Sequence, residues 1–198
     1  MEKVFKNKKL AYVLIGILLA LQLTQSIANW CGGGFNGGSL ILCILMLGLL
    51  TLVGVGIAKN NKLLTIISGV SILSVLIYIL AAEYSGIIQK VIDGKVPNIG
   101  LVRNIFGSIA TLLLIGCFIL VILRAFGITK NLKTINSVFS IITVILFLAV
   151  IVTELSSGYI ARAPFTVYEK IYRIVRDIFA LFIALLVPCV WHQVDSKE

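Results

Sequence analysis

The stretch LAYVLIGILLALQLTQSIAN, residues 10–29, decides the fold class of this protein. It contains no charged residue, and its length matches the roughly 20 helical residues that cross a bilayer. Lipid offers no hydrogen bonds to the backbone, so an apolar run of this length is expected to be helical. Comparable runs follow it at residues 39–58, 63–82, 105–127, 135–153 and 178–191. The last run is short, and the alternative is that its outer edge reaches back past Arg176. The sequence therefore predicts an all-α membrane protein, a bundle of six transmembrane helices.

The composition of the whole chain agrees with this class. Hydrophobic residues make up 60% of the 198 residues, charged residues make up 13%, and the mean hydropathy is +1.11. Soluble domains carry charge on roughly a quarter of their residues. Most of the charges fall between the apolar runs or at their ends. We therefore expect a single integral membrane domain over residues 1–198, with the lipid bilayer as its surroundings.

The distribution of Lys and Arg predicts the orientation, because cytoplasmic connections carry an excess of these residues. Ten of them lie on the side of the two termini, clustered at helix ends, and seven lie on the other side in longer segments that also hold carboxylates. We expect a multi-pass protein of the cell membrane with both termini in the cytoplasm. The net charge of +9 then reflects topology and contact with anionic lipid, and we expect no nucleic-acid partner.

The first apolar run has an alternative interpretation as a secretory signal. A basic start, an apolar stretch and the small residues of SIA before Asn29 resemble a cleavable leader. A lipoprotein site at Cys31 is disfavoured, since bulky Trp30 directly precedes it where a small residue is required. The run is long for a signal segment, so we expect it to be retained as a membrane helix, with cleavage as the alternative.

The motif Lys-Asn-x-Lys occurs three times, each time shortly before an apolar run, as KNKK, KNNK and KNLK at 6–9, 59–62 and 130–133. The second and third copies are each followed at the same spacing by a glutamate, Glu83 and Glu154, and then by VRNIF or VRDIF. These matches predict three tandem helical hairpins, with repeat units at 6–58, 59–129 and 130–198. The alternative is that lysines flank helices because topology requires them, and that apolar sequences align easily.

Two of the predicted outer loops contain amphipathic segments. In residues 165–179 the apolar and aromatic side chains recur at helical spacing, with charged side chains on the opposite face. A weaker version of the pattern occurs at 87–92. Such segments are suited to the membrane interface, with tyrosines at headgroup depth. We expect interfacial helices in the second and third outer loops; the alternative is a lid that packs on the bundle.

One polar feature is a candidate binding site. Four polar residues of the first helix share one face, because they follow the spacing i, i+3, i+4, i+7: Gln22, Gln25, Ser26 and Asn29. An amide in hydrocarbon without a partner costs several kcal/mol, so this stripe is expected to face protein or water. Near the same depth lie four charged residues, Glu83, Arg103, Glu154 and Arg176. We predict an outer cavity for a polar or zwitterionic solute; the alternative is hydrogen bonding between helices with two Glu–Arg pairs.

Residues that carry catalytic chemistry are scarce. His192 has no second histidine or carboxylate beside it, so a ligand or base role is not expected. The cysteines, Cys31, Cys43, Cys117 and Cys189, have no metal-ligand spacing; Cys31 and Cys43 are near enough to the outer surface to bridge, but buried thiols are favoured. We therefore expect no catalytic residues, no metal and no cofactor. The sequence also places no charged residue deep in an apolar run, which argues against an enzyme and against proton-driven transport.

Two classes of function remain. The first is a component of a transport system, or an accessory subunit, that binds a small solute. In size and helix number the chain is similar to the substrate-binding membrane subunits of energy-coupling-factor vitamin importers, although the first helix lacks their alanine-rich docking motif. The second is a membrane interaction or immunity-type protein that recognises another protein at the outer surface. In either case the chain is small enough that we expect a membrane-protein partner or self-association.

Overall fold

The computed structural model describes residues 7–59, 61, 63–75, 98–126, 132–156 and 166–195. These residues form six helices and no strand. The helices are α1 Lys8–Gly33, α2 Gly37–Ala58, α3 Leu63–Val75, α4 Asn98–Ala125, α5 Lys133–Ser156 and α6 Val167–Asp195. All except α3, of which a shorter apolar stretch is described, are long and apolar enough to cross a membrane. The prediction of a multi-pass helical membrane protein is confirmed.

An asparagine side chain caps the N-terminus of three of these helices. The side chain of Asn7 accepts a hydrogen bond from the backbone N–H of Lys9, and that of Asn36 accepts one from Ser39. At the start of α3, Asn61 accepts from the N–H of Leu64 at 3.1 Å. A side-chain oxygen at this position satisfies one of the backbone donors that a helix leaves open at its start. Asn7 is the asparagine of the first Lys-Asn-x-Lys copy, and Asn61 is the third residue of the second copy, so both copies lie where a helix begins.

Helix α6 differs from its prediction. The amphipathic segment 165–179 and the apolar run 178–191 form one continuous helix, Val167–Asp195. A capping box begins it, because the Thr166 N–H donates to Glu169 Oε2 at 2.7 Å while the Glu169 N–H donates to Thr166 Oγ1 at 3.2 Å. The predicted interfacial helix of the third outer loop is therefore the first part of the last span. The segment at 87–92 lies outside the described residues.

Helix α6 is also central to the packing, since it contacts α1, α4 and α5. Its Ile183 is fully buried in a core that includes the equally buried Leu18 of α1 and Leu50 of α2. Large apolar side chains elsewhere remain exposed, among them Ile41 at 68% and Leu112 at 61%. Exposure of so much apolar surface is compatible with a lipid environment, where it carries no penalty.

Contacts between the helices establish their directions. A β-carbon at Gly54 of α2 would lie 3.6 Å from Ile15 of α1, and one at Gly116 of α4 would lie 3.6 Å from Phe139 of α5. In each pair these residues are similarly far from the connecting turn, so each pair is an antiparallel hairpin. We call the end of the bundle where α1 begins and α6 ends the terminal end, and the opposite end the distal end. Helix α2 therefore ends at the terminal end. Consecutive spans alternate in direction across a bilayer, so α4 is expected to end, and α5 to begin, at the same end.

The turn between α2 and α3 depends on a glycine. A β-carbon at Gly56 would overlap Thr65 Oγ1 and would lie 3.0 Å from the Thr65 nitrogen. The same turn is closed by a hydrogen bond from the Asn61 N–H to the Gly56 carbonyl at 2.9 Å. Gly48 lies in the same helix but has no atom within 4 Å of the corresponding position. The two glycines therefore form a matched pair for mutation.

We expect Gly56→Ala to lower the free energy of unfolding by about 1–3 kcal/mol, the usual cost of overpacking. Gly48→Ala should leave stability unchanged or raise it by up to about 1 kcal/mol, because alanine is the better helix former. Thermal unfolding of both variants in one detergent tests this. Equal stability of the two variants would show that the close approach of α2 and α3 is not required.

Candidate functional site

The polar stripe of α1 faces the interior of the bundle over part of its length. Gln22 and Ser26 are 7% and 8% exposed, and Gln25 and Asn29 are half-buried. Thr24, which lies between the amides in sequence, is exposed and donates a hydrogen bond to the Ala20 carbonyl. The amide side chains share one helical face, and the burial of Gln22 and Ser26 shows that this face packs against protein.

The hydrogen bonds within this stripe are weak or incomplete. Gln22 Nε2 donates to Ser26 Oγ at 3.4 Å, which is long for such a bond. Gln25 Oε1 is buried and accepts no hydrogen bond. A buried acceptor left in this state costs about 1–3 kcal/mol. The stripe thus retains the capacity to bind a group that donates hydrogen bonds.

Packing of α1 on α6 determines what lies beside the stripe. A β-carbon at Gly32 would lie 3.2 Å from Cβ of Tyr168, at the distal end of both helices. The helices are antiparallel, and each residue rises about 1.5 Å, so Ser26 lies about 9 Å below Gly32. This depth corresponds to the part of α6 that holds Arg176 and Asp177. The amide stripe and these two charges are therefore level with each other in neighbouring helices.

Arg176 and Asp177 form an ion pair within the last span. Arg176 Nε and one terminal nitrogen both lie 3.2 Å from Asp177 Oδ1. Asp177 is 6% exposed. The apolar part of α6, residues 178–191, is about 21 Å long, shorter than a hydrocarbon layer of about 30 Å. The candidate span Val167–His192 includes the ion pair, about ten residues from its distal end. The expectation that no charged residue lies deep in a membrane helix stays a prediction.

Glu154 provides a second buried carboxylate at the distal end. It lies near the end of α5, and it is 2% exposed. It is engaged in a polar or ionic interaction, as is Arg176 beyond its pair with Asp177. Because α5 packs against α6, both carboxylates belong to helices that meet at this end of the bundle. Ionisable groups in membrane helices most often mark substrate or ion pathways.

The predicted site residues are placed as follows. Gln22, Gln25, Asn29, Glu154 and Arg176 lie in the distal halves of α1, α5 and α6. Glu83 lies outside the described residues, and so does the side chain of Arg103.

Sequence reasoning overlooked Asp177 as a buried group. The short apolar run that follows Asp177 already indicates that the last span extends back past Arg176. The burial of Asp177 is not part of that expectation, because it depends on the helices that pack against α6.

The described residues hold no metal site. No three His, Cys, Asp or Glu side chains among them come close enough to bind an ion. Cys31 is exposed and Cys43 is buried, and both are free thiols. The bridge that the sequence left open between these two cysteines is therefore not formed.

Comparison of the chain with protein-family models, with curated proteins and with solved structures gives no match.

We expect Arg176→Gln to destabilise the protein more than Asp177→Asn. The first change leaves a buried carboxylate without its guanidinium, whereas Arg176, with 23% of its side chain exposed, is able to turn towards water. The double variant should recover part of the loss, with a coupling of roughly 0.5–3 kcal/mol.

A double-mutant cycle from thermal unfolding in detergent measures this coupling. Lys170→Gln in the same helix is the control for loss of a cation at the distal end. Additive effects of the two changes would show that the ion pair does not contribute to stability.

Proposed function

We propose that this protein is a non-enzymatic, solute-binding component of a membrane transport system, and that its binding site lies at the distal end of α1, α5 and α6. The observation that carries the proposal is the Arg176–Asp177 pair of the last span, with Asp177 buried, level with the amide stripe of α1. Charge and amide groups within an apolar span are costly, and in membrane proteins they are typically retained for function.

The chemistry of these groups favours a small polar or zwitterionic solute. Gln25 Oε1 and the carboxylate of Glu154 are suited to an ammonium or hydroxyl donor. The guanidinium of Arg176 is suited to a carboxylate or phosphate, which it contacts through two parallel donors. A solute that carries both kinds of group would satisfy the amide and charge groups together. We place Glu83 and Arg103 in the same proposed site on sequence position alone.

Transport by a chain of this size requires other subunits. A bundle of six helices offers few elements that move against each other, so we propose a membrane-protein partner or self-association in the cell membrane. With both termini in the cytoplasm, the distal site would open to the outside, and the solute would be taken from there.

A second candidate function has an observation of its own in support. Phe35 is 64% exposed, Val167 is 69% exposed and Tyr168 is 49% exposed, all at the distal end. Aromatic side chains in such a position are suited either to the headgroup layer or to a protein partner. The alternative proposal is therefore a membrane interaction or immunity-type protein whose distal surface recognises another protein.

Purification from the native membrane in mild detergent, followed by mass spectrometry of whatever co-purifies, distinguishes the two proposals. A bound polar metabolite, or an ATP-hydrolysing partner in equal amount, is the result expected for a transport component. A membrane or secreted protein without a metabolite would contradict that function and favour the recognition of another protein. A metabolite identified in this way then serves as the probe for the variants below.

We expect Gln22→Leu and Gln25→Leu to weaken binding of that solute at least tenfold, which corresponds to about 1.4 kcal/mol for each factor of ten. Stability should change little, because leucine removes a polar group whose hydrogen bonding is incomplete. Thr24→Val is the matched control, since Thr24 lies at the same depth on the exposed face. Calorimetric titration measures the affinity, and wild-type affinity in both amide variants would remove the stripe from the site.

A further inference from the structure

A second group of buried polar side chains lies at the terminal end, outside the proposed solute site. Arg124 is 9% exposed, Asn136 is 2% exposed, Trp191 is 3% exposed and His192 is 8% exposed. Each lies within about one helical turn of the end of its helix: the end of α4, the beginning of α5 and the end of α6. We therefore expect the four residues to lie near the terminal end of the bundle.

The three helices concerned pack against each other in every pairing. Between α4 and α5 the level is fixed by Cys117 Sγ and Ser140 Oγ, which lie 3.6 Å apart. Asn136 is one turn closer to the terminal end than Ser140, and Arg124 is about two turns closer than Cys117. All four side chains are buried near the ends of helices that pack against each other, so we infer that they lie around the space between the ends of α4, α5 and α6.

Two atoms of this group lack hydrogen bonds. Asn136 Oδ1 and Trp191 Nε1 are buried without a partner. The indole nitrogen only donates, whereas the amide oxygen only accepts, and each costs about 1–3 kcal/mol when left in this state. A bound group that offers both an acceptor and a donor would satisfy the pair. The permanent positive charge of Arg124, near the same end of the bundle, favours an anion as the acceptor.

We propose that the terminal end binds the phosphodiester headgroup of an anionic phospholipid that also carries hydroxyl groups. The phosphate oxygens accept from Trp191 Nε1 and from the Arg124 guanidinium, and a headgroup hydroxyl donates to Asn136 Oδ1. Arg124 and His192 keep the largest exposed fractions of the group, so the headgroup enters on their side. Basic sites between membrane helices at headgroup level are a known mode of binding for anionic lipids.

The position of the site favours a lipid over a soluble phosphate. The ends of α4 and α6 mark the edge of the apolar spans, which is where headgroups lie. Lys9 and the α2-capping Lys59 are exposed at the same end and raise the local concentration of anionic lipid. These lysines attract any anion at the surface, whereas Arg124, Asn136 and Trp191 would hold one group in a defined geometry.

The test uses the full-length protein, stripped of lipid in a neutral detergent. Phosphatidylglycerol, phosphatidylcholine and glycerol phosphate are added separately, and binding is followed by native mass spectrometry and by the unfolding temperature. We expect one tightly bound phosphatidylglycerol, at least tenfold weaker binding of phosphatidylcholine, and no competition by glycerol phosphate. If glycerol phosphate competed as well as the lipid, the site would bind a soluble phosphate group, and the proposal of a lipid ligand would be overturned.

Variants distinguish binding at this site from nonspecific electrostatic attraction of anionic lipid to the surface lysines. Arg124→Gln and Trp191→Phe should each weaken phosphatidylglycerol binding at least tenfold, while Lys59→Gln should change it less than threefold. Trp191→Phe keeps the charge and removes only the indole donor, so it remains informative if Arg124→Gln does not fold. Wild-type binding in Trp191→Phe, or no preference for phosphatidylglycerol in the wild type, would overturn the proposal and leave bridging water as the partner of Asn136 and Trp191.

Discussion

The structure depends on one constraint: a polar side chain within a membrane span has to find its partners inside the protein, because lipid provides none. Gln22 and Ser26 of α1, Glu154 of α5 and Asp177 of α6 are all buried in the bundle, whereas Gln25 Oε1 accepts no hydrogen bond there. The constraint also explains why α6 is central. A helix that carries an ion pair into the span needs neighbours on most of its surface, and α6 contacts α1, α4 and α5.

Much of the fold follows from the sequence, because apolar length and helical periodicity are local properties. The first, second, fourth and fifth spans begin and end within a few residues of their predicted positions, apart from the start of α4. The beginning of α6 was not predictable in this way. A hydropathy scale assigns arginine and aspartate a fixed free-energy cost of burial at any position in a sequence. The actual cost for Arg176 and Asp177 depends on the ion pair between them and on the helices that pack around them. The Thr166–Glu169 capping box is a local signal that marks the true start.

In the candidate site, too, some features follow from local sequence and others depend on packing between helices. The face shared by Gln22 and Ser26 follows from their spacing, which holds in any helix. The spacing does not predict which helix lies against that face. That helix is α6, and its position depends on the packing of Gly32 against Tyr168. The Lys-Asn-x-Lys motif is a similar case. Asn7 caps a helix as the asparagine of the first copy, and Asn61 caps one as the third residue of the second copy. Capping and topology thus provide a local reason for Asn7 and the flanking lysines that does not require duplication of hairpins.

The two polar ends are separated by an apolar layer. Between them lie Phe147 and Val150 of α5, 4% and 3% exposed, with the fully buried Ile183 of α6 in the same central region. A polar solute held at the distal end would have to cross this layer, and native packing density leaves such a layer closed unless helices move apart. Under the proposed function, binding and translocation would therefore be separate steps. The proposed role is that of the binding component, and a partner that moves α5 or α6 would provide the second step.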